Sequence, residues 1–110
     1  MPRVLVIISS DNVGKALTGL MWAVNAVRYG WVDDVEVVFF GPVERLIAEG
    51  NEDILNAVME LGRVKKQPIA CRRIAEKEGY LERLEERVKT EYVGQRISKL
   101  IAEGYTPLVF

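Results

Sequence analysis

Short apolar runs alternate with longer segments of helical periodicity along this chain of 110 residues. Val4 to Ile8 is an unbroken aliphatic run, as expected for a strand that is covered on both faces. The polar residues 9–12 that follow can cap a helix, and apolar residues then recur at helical spacing over residues 13–28. This order of elements is typical of proteins with a parallel sheet between helical layers.

The same alternation predicts four further strands. The second covers residues 35–40, the third residues 67–71, the fourth falls within residues 87–90, and the last covers residues 105–110. Pro107 lies inside the last strand and cannot donate a ladder hydrogen bond, which places that strand at a sheet edge.

The segments between these strands have helical periodicity and ordinary helix stops. Gly41 and Pro42 end the second strand and begin a short helix, while Gly62 and Gly104 end two later helices. We therefore predict an α/β fold, with a mostly parallel five-stranded sheet in a three-layer α/β/α sandwich. The length indicates one domain spanning residues 1–110.

The charge and the scarcity of metal-binding residues exclude several classes of function. With 15 Lys and Arg against 16 Asp and Glu, the net charge of −1 gives no broad positive surface for nucleic acid. One cysteine and no histidine rule out an internal disulfide and a tetrahedral zinc site, and we expect no metal and no cofactor.

The opening apolar run is too short for a signal sequence or a membrane span, so we expect a cytoplasmic protein with no membrane partner. Many charged residues with few Asn and Gln are also typical of proteins from hot habitats.

The first helix predicts self-association. No charged residue lies between Lys15 and Arg28, and Trp22, Ala23 and Ala26 make even its outer face apolar. A helix that is apolar on all sides is usually buried on all sides, so we expect a homo-oligomer built partly on this helix. The alternative is that loops of the same chain cover the extra face.

Cys71 is the principal candidate for chemistry. It ends the third strand just before a charged helical stretch, and in α/β proteins ligands bind beside the carboxyl ends of strands. A helix amino terminus, together with Arg72 and Arg73, would favour the thiolate form. The alternative is that Cys71 is a small buried hydrophobic residue.

Familiar cysteine and phosphate motifs are absent. Gly14 and Lys15 resemble the end of a phosphate-binding loop, but the earlier glycine is replaced by Ser9 and the following hydroxyl by Ala16. Residue 77 is lysine, not the arginine of a phosphatase or rhodanese-type loop, and no second cysteine or histidine completes a redox pair or a catalytic dyad.

The order of several weak motifs resembles the DsrE/DsrF-like family over essentially the whole chain. These motifs are the opening strand, the Gly41-Pro42 stop, Ile69-Ala70-Cys71 at the end of the third strand, Gly94 in the last helix, and Glu103-Gly104-Tyr105 before the final strand. The proline of the final strand and residues 81–90 differ from the family pattern.

The resemblance implies a five-stranded parallel sheet and assembly into trimers or hexamers. In the sulfur-relay branches of the family, a cysteine at the position of Cys71 accepts sulfur as a persulfide and passes it to a partner protein. We therefore expect an intracellular sulfur carrier with donor and acceptor protein partners, whether or not it is a true sulfurtransferase enzyme. The alternative is a non-catalytic oligomeric module that binds a small molecule or serves as a scaffold.

Four residues are expected to support the thiol. Arg72 would stabilise the anion, and Ser9, Asn12 and Gly41 would lie at the same end of the sheet, offering a hydroxyl, an amide and open backbone. The last three are equally explained as helix caps or turn residues.

Overall fold

The computed structural model describes residues 2–110, which form five strands and six helices. In chain order the elements are β1 Arg3–Ile8, α1 Val13–Arg28, β2 Asp34–Phe39, α2 Val43–Ala48, α3 Glu52–Arg63, β3 Ile69–Cys71, α4 Arg72–Glu78, α5 Leu81–Glu85, β4 Lys89–Glu91, α6 Val93–Ala102 and β5 Tyr105–Val109.

All five strands are parallel and form one sheet in the order β4-β3-β2-β1-β5. The predicted α/β fold is therefore confirmed. The third strand is shorter than predicted and begins at Ile69, and the fourth lies slightly later than predicted, at Lys89–Glu91.

The strand order explains why the two faces of the sheet are covered unequally. The chain moves in one direction from β1 to β4 and then crosses back to β5 beside β1. Because such crossovers are right-handed, helices formed during the first movement lie on one face and the helix of the return lies on the other. Buried side chains of α1 to α5 accordingly share one apolar cluster, whereas those of α6 belong to a second.

The final strand is an edge strand, as its proline predicted. The Phe110 amide donates to the Ile7 carbonyl, and the Phe110 carbonyl accepts from Ser9, so Phe110 points its backbone groups towards β1. By the two-residue alternation of a parallel strand, Leu108 also faces β1, and Pro107 faces away from it. The proline thus removes a donor from the open edge of the sheet, which discourages pairing with another strand.

The turn after β2 packs tightly against the end of β1. Gly41 has φ +143°, and a Cβ atom there would lie 2.3 Å from Ser9 Oγ and 2.8 Å from the Ser9 carbonyl oxygen. The Val43 amide donates to that same carbonyl oxygen at 3.0 Å. Glycine is therefore required at residue 41 both by backbone conformation and by space.

We expect Gly41→Ala to lower the free energy of unfolding by about 2 kcal/mol or more, because it combines backbone strain with a steric clash. Gly62→Ala is the matched control, since Gly62 lies in the last turn of α3 and nothing lies within 4 Å of its Cβ position. That control should be neutral or stabilising by up to about 1 kcal/mol. Urea denaturation measures both variants, and equal stabilities would contradict the close packing at Gly41.

Candidate functional site

Cys71 lies at the junction of a strand and a helix. It is the last residue of β3 and the N-cap of α4, with extended backbone angles and no side-chain cap hydrogen bond. The side chain is buried, with 4% of the residue exposed, in the apolar cluster beneath α6 that includes Val38, Val93 and Leu100. The position of Cys71 at the sheet end is as the sequence predicted. The residue is almost fully covered, however, which a freely reactive thiol would not be.

A buried carboxyl group, Glu44 on α2, lies directly beside Cys71. Glu44 has no exposed surface, and its Oε2 accepts a hydrogen bond of 3.0 Å from the backbone amide of Cys71. Its other oxygen, Oε1, is buried without a hydrogen-bond partner among the described residues. An unpaired carboxyl oxygen in the interior is costly, and such a group commonly has a functional role or remains protonated.

Burial raises the pKa of Glu44 from 4.5 to about 7. The amides of Cys71 and Gly41 and the hydroxyl of Tyr80 act in the opposite direction, because each stabilises the carboxylate. The Tyr80 hydroxyl does so without forming a hydrogen bond to Oε1. Glu44 therefore holds a proton that can leave close to neutral pH.

Tyr80 lies between this carboxyl group and the Arg45 side chain. Tyr80 itself is 2% exposed, and the Arg45 guanidinium lies over its ring at 5.6 Å from the centroid. Burial, followed by the negative charge of Glu44, raises the pKa of Tyr80 to about 12. The tyrosine is thus a neutral hydroxyl at physiological pH.

Arg72 forms ion pairs with two carboxylates. Its guanidinium Nη1 lies 3.5 Å from Glu85 Oε2, and its Nε lies 3.6 Å from Glu76 Oε2. Glu76 also accepts a hydrogen bond from the Tyr92 hydroxyl. These ion pairs neutralise part of the positive charge that the sequence assigned to the support of a thiolate.

Ser9 and Gly41 meet at the carboxyl ends of β1 and β2, as their order in the sequence predicted. Gly41 also contributes to the site near Cys71, because its amide helps to stabilise the Glu44 carboxylate. Asn12 instead caps α1, where its Oδ1 accepts a hydrogen bond of 3.0 Å from the Lys15 amide. The structure therefore gives Asn12 the role of a helix cap.

An open groove of about 750 Å³ runs beside α6. The groove is open because α6 is the helix that covers this face of the five-stranded sheet, and one helix is narrower than the sheet. Leu100 belongs both to the wall of the groove and to the apolar cluster that contains Cys71. The groove also includes Glu91, whose backbone lies opposite that of Cys71 in the pairing of β3 and β4.

Charged groups of both signs and two tyrosines line this groove. Glu91 and Arg96 form a double hydrogen bond, which holds the pKa of Glu91 below its usual range. Tyr105 donates a hydrogen bond to Asp34, and that contact, with burial and nearby negative charge, raises its pKa to about 12. The remaining lining residues are Glu36, Arg72, Thr90, Tyr92, Gln95, Lys99, Leu100 and Glu103.

Sequence reasoning missed Glu44, the most deeply buried charged residue of the site. An acidic residue in the first turn of a helix is usually exposed and interacts with the helix dipole. The spacing of Glu44, Ile47 and Ala48 did contain a signal, because residues three and four positions apart share one helical face. All three are buried.

Among residues 2–110, no three His, Cys, Asp or Glu side chains are grouped so that they could hold a metal ion. No helix in this part of the chain is both long and apolar enough to cross a membrane.

Comparisons with known proteins show the fold and leave the function open. No protein-family model matches the chain, and no curated protein sequence matches it. A solved structure with the same fold is that of BT1422, a conserved protein of unknown function from Bacteroides thetaiotaomicron. The TM-score is 0.86 and the sequence identity 17%, over 98% of this chain and 94% of that chain.

We expect Glu44→Gln to change how stability depends on pH. Because the folded pKa of Glu44 is about 7 and its ordinary value 4.5, the folded state holds the extra proton between these values. Wild-type stability should therefore fall as pH rises through this window, by about 3 kcal/mol in total, and the glutamine variant should lack that loss. Urea denaturation of the wild type and of Glu44→Gln between pH 4.5 and about 7 measures the two stabilities.

Glu49→Gln, at an exposed position just beyond the end of α2, is the matched control and should follow the wild type. A constant stability difference between Glu44→Gln and the wild type at every pH would show that Glu44 does not titrate near neutrality.

Proposed function

We propose that this protein is a sulfur carrier, in which Cys71 accepts sulfane sulfur as a persulfide and donates it to a partner protein. The observation that carries the proposal is a strand-end cysteine whose backbone amide donates a hydrogen bond to the buried Glu44 carboxyl group. The chain has no histidine, and a carboxyl group with a pKa of about 7 can exchange protons in its place. The resemblance to the DsrE/DsrF-like family supports the same chemistry.

The reaction is a transfer of sulfur without net oxidation. The Cys71 thiolate attacks the terminal sulfur of a donor persulfide, and the donor's sulfur–sulfur bond breaks as the bond to Cys71 forms. The donor leaves as a thiolate and takes up a proton. The groove beside α6 gives a donor room to approach, and Leu100 is the side chain between groove and thiol cluster that would have to move.

The burial of Cys71 favours a second candidate from another class. A residue that is only 4% exposed can be an inert part of the core, and the polar groove would then bind a small molecule or serve as a scaffold surface. The two candidates differ in one property, which is the reactivity of the thiol in the folded protein.

We also propose that the carrier is a cytoplasmic homo-oligomer, a trimer or hexamer, assembled partly through α1. Met21 on this helix is 59% exposed beside an apolar groove between α1 and α3, with Leu17, Leu20 and Val24 along its wall. Exposed apolar surface of this kind is typical of protein interfaces.

Intact-mass spectrometry after incubation with a low-molecular-weight persulfide tests the sulfur-carrier function. We expect the folded protein to gain one sulfur atom, and iodoacetamide-blocked protein and Cys71→Ser to gain none. A mass gain that persists in Cys71→Ser would contradict the role of Cys71. No gain in wild type, with alkylation only after unfolding, would favour the binding module.

Light scattering tests the oligomer. We expect the wild type to have a trimer or hexamer mass at micromolar concentration, and Met21→Glu to shift it towards the monomer, because a charge cannot be buried there without a partner. Lys15→Glu, at an exposed position outside the apolar groove, is the control for added negative charge on α1. A monomeric wild type would contradict assembly through α1.

A further inference from the structure

We propose that a second site, at the amino ends of β3 and β4, binds the phosphate group of a small hydroxyl-bearing ester such as a sugar phosphate. The phosphate would lie between Lys65 and Lys89, and the hydroxyl groups would donate to Glu36. The site is at the opposite end of the strands from Cys71, so this inference goes beyond the sulfur-carrier function and does not depend on it.

The site is a cavity of about 270 Å³ between the loop that follows α3, the first residues of β3 and β4, and Arg96 of α6. Four cationic side chains line it against one carboxylate, Glu36, and the cations are Lys65, Lys66, Lys89 and Arg96. Since the whole chain has a net charge of −1, this is a local concentration of positive charge. Clefts lined mainly by one sign of charge attract ligands of the opposite sign.

Two of these four cations are already paired, which identifies the two that are available to a ligand. Lys66 pairs with Asp34, and Arg96 forms the double hydrogen bond described above. Lys65 and Lys89 form no ion pair with a carboxylate of residues 2–110. A phosphate group carries up to two negative charges and three acceptor oxygens, so that two ammonium groups can bind it together.

Lys65 has a backbone conformation that usually requires glycine. It follows the C-cap of α3 with φ +63°, and its amide donates to the Gly62 carbonyl oxygen at 3.0 Å. The next amide, of Lys66, donates to the Leu61 carbonyl oxygen at 2.9 Å. This pattern of hydrogen bonds ends many helices and favours glycine after the C-cap, because a Cβ atom strains the left-handed conformation.

Other helices of the same chain do end with glycine. Within two residues of their last residue, α1, α2, α4 and α6 are followed by glycines with positive φ, which are Gly30, Gly50, Gly79 and Gly104. Lys65 is the one non-glycine residue with positive φ among residues 2–110. Strain at a charged residue is accounted for when its side chain has a role that glycine could not fill, and Lys65 lines the cavity.

Glu36 indicates that the ligand carries hydroxyl groups as well as phosphate. This carboxylate is half-buried, forms no ion pair within residues 2–110, and lines both the cavity and the larger groove beside α6. A carboxylate beside an anion site repels the anion, unless the same ligand also offers hydrogen-bond donors to it. The rest of the ligand would then extend into the groove, which Tyr105 also lines.

An NMR titration of the isotope-labelled full chain at constant ionic strength tests the site with ribose 5-phosphate, inorganic phosphate and ribose. We expect saturable shifts of the amides of residues 65–67, 89 and 96, and ribose 5-phosphate should bind roughly tenfold more tightly than phosphate. No saturable shifts, or shifts spread over exposed lysines elsewhere, would overturn the site. Equal affinities for ribose 5-phosphate and phosphate would overturn the hydroxyl contact.

Lys65→Gly separates a binding role from a structural one. Relief of the strain should raise the thermal midpoint by roughly 4 °C or more, whereas loss of the ammonium group should weaken ribose 5-phosphate binding roughly fivefold or more. Lys89→Ala should weaken binding by a similar factor, and Lys77→Ala, an exposed lysine on α4 outside the cavity, should bind as the wild type does. A stabilised Lys65→Gly with wild-type affinity would show that Lys65 is only a turn residue.

Glu36→Gln gives a test with opposite effects on two ligands. It removes the repulsion but keeps an acceptor oxygen, so inorganic phosphate should bind roughly threefold more tightly, while the preference for ribose 5-phosphate should fall. The same change in affinity for both ligands would contradict the role of Glu36. These results are independent of whether Cys71 is charged by a persulfide donor.

Discussion

The hydrogen bond between the Cys71 amide and the buried Glu44 carboxyl group holds the candidate site together. It connects α2, which follows β2, to the end of β3, and its acceptor also interacts with the amide of Gly41. Because Gly41 packs against Ser9, one carboxyl group links the ends of three neighbouring strands. The cost of burying an acid here is difficult to explain by packing alone, since an uncharged acceptor would make the same bond.

Topology determines what else lies near this bond. The chain forms five helices while it moves across the sheet in one direction, and one helix when it crosses back. The face that contains Cys71 is therefore covered by α6 alone, which buries the thiol while an open polar groove remains beside it. Side chains of α6 therefore separate the buried thiol from the open groove.

The parts of the fold that local chemistry determines could be predicted from sequence. The aliphatic run of β1, the Gly41 turn and the edge position of Pro107 each follow from the residue itself. The fourth strand was hard to locate because Lys89–Glu91 is a short, partly exposed edge strand without an apolar pattern. Glu44 was missed because its burial depends on contacts between α2 and β3 that are remote in sequence, and the burial of Cys71 depends on where α6 crosses the sheet.

The ionisation of Glu44 is the property on which this account depends, and carbon NMR of its side-chain carboxyl group measures it most directly. The account predicts a titration midpoint near pH 7 in the folded wild-type protein, against the ordinary value of 4.5. A midpoint near the ordinary value would contradict it, because a carboxyl group that ionises as it does in water is neither desolvated nor able to exchange protons near neutrality.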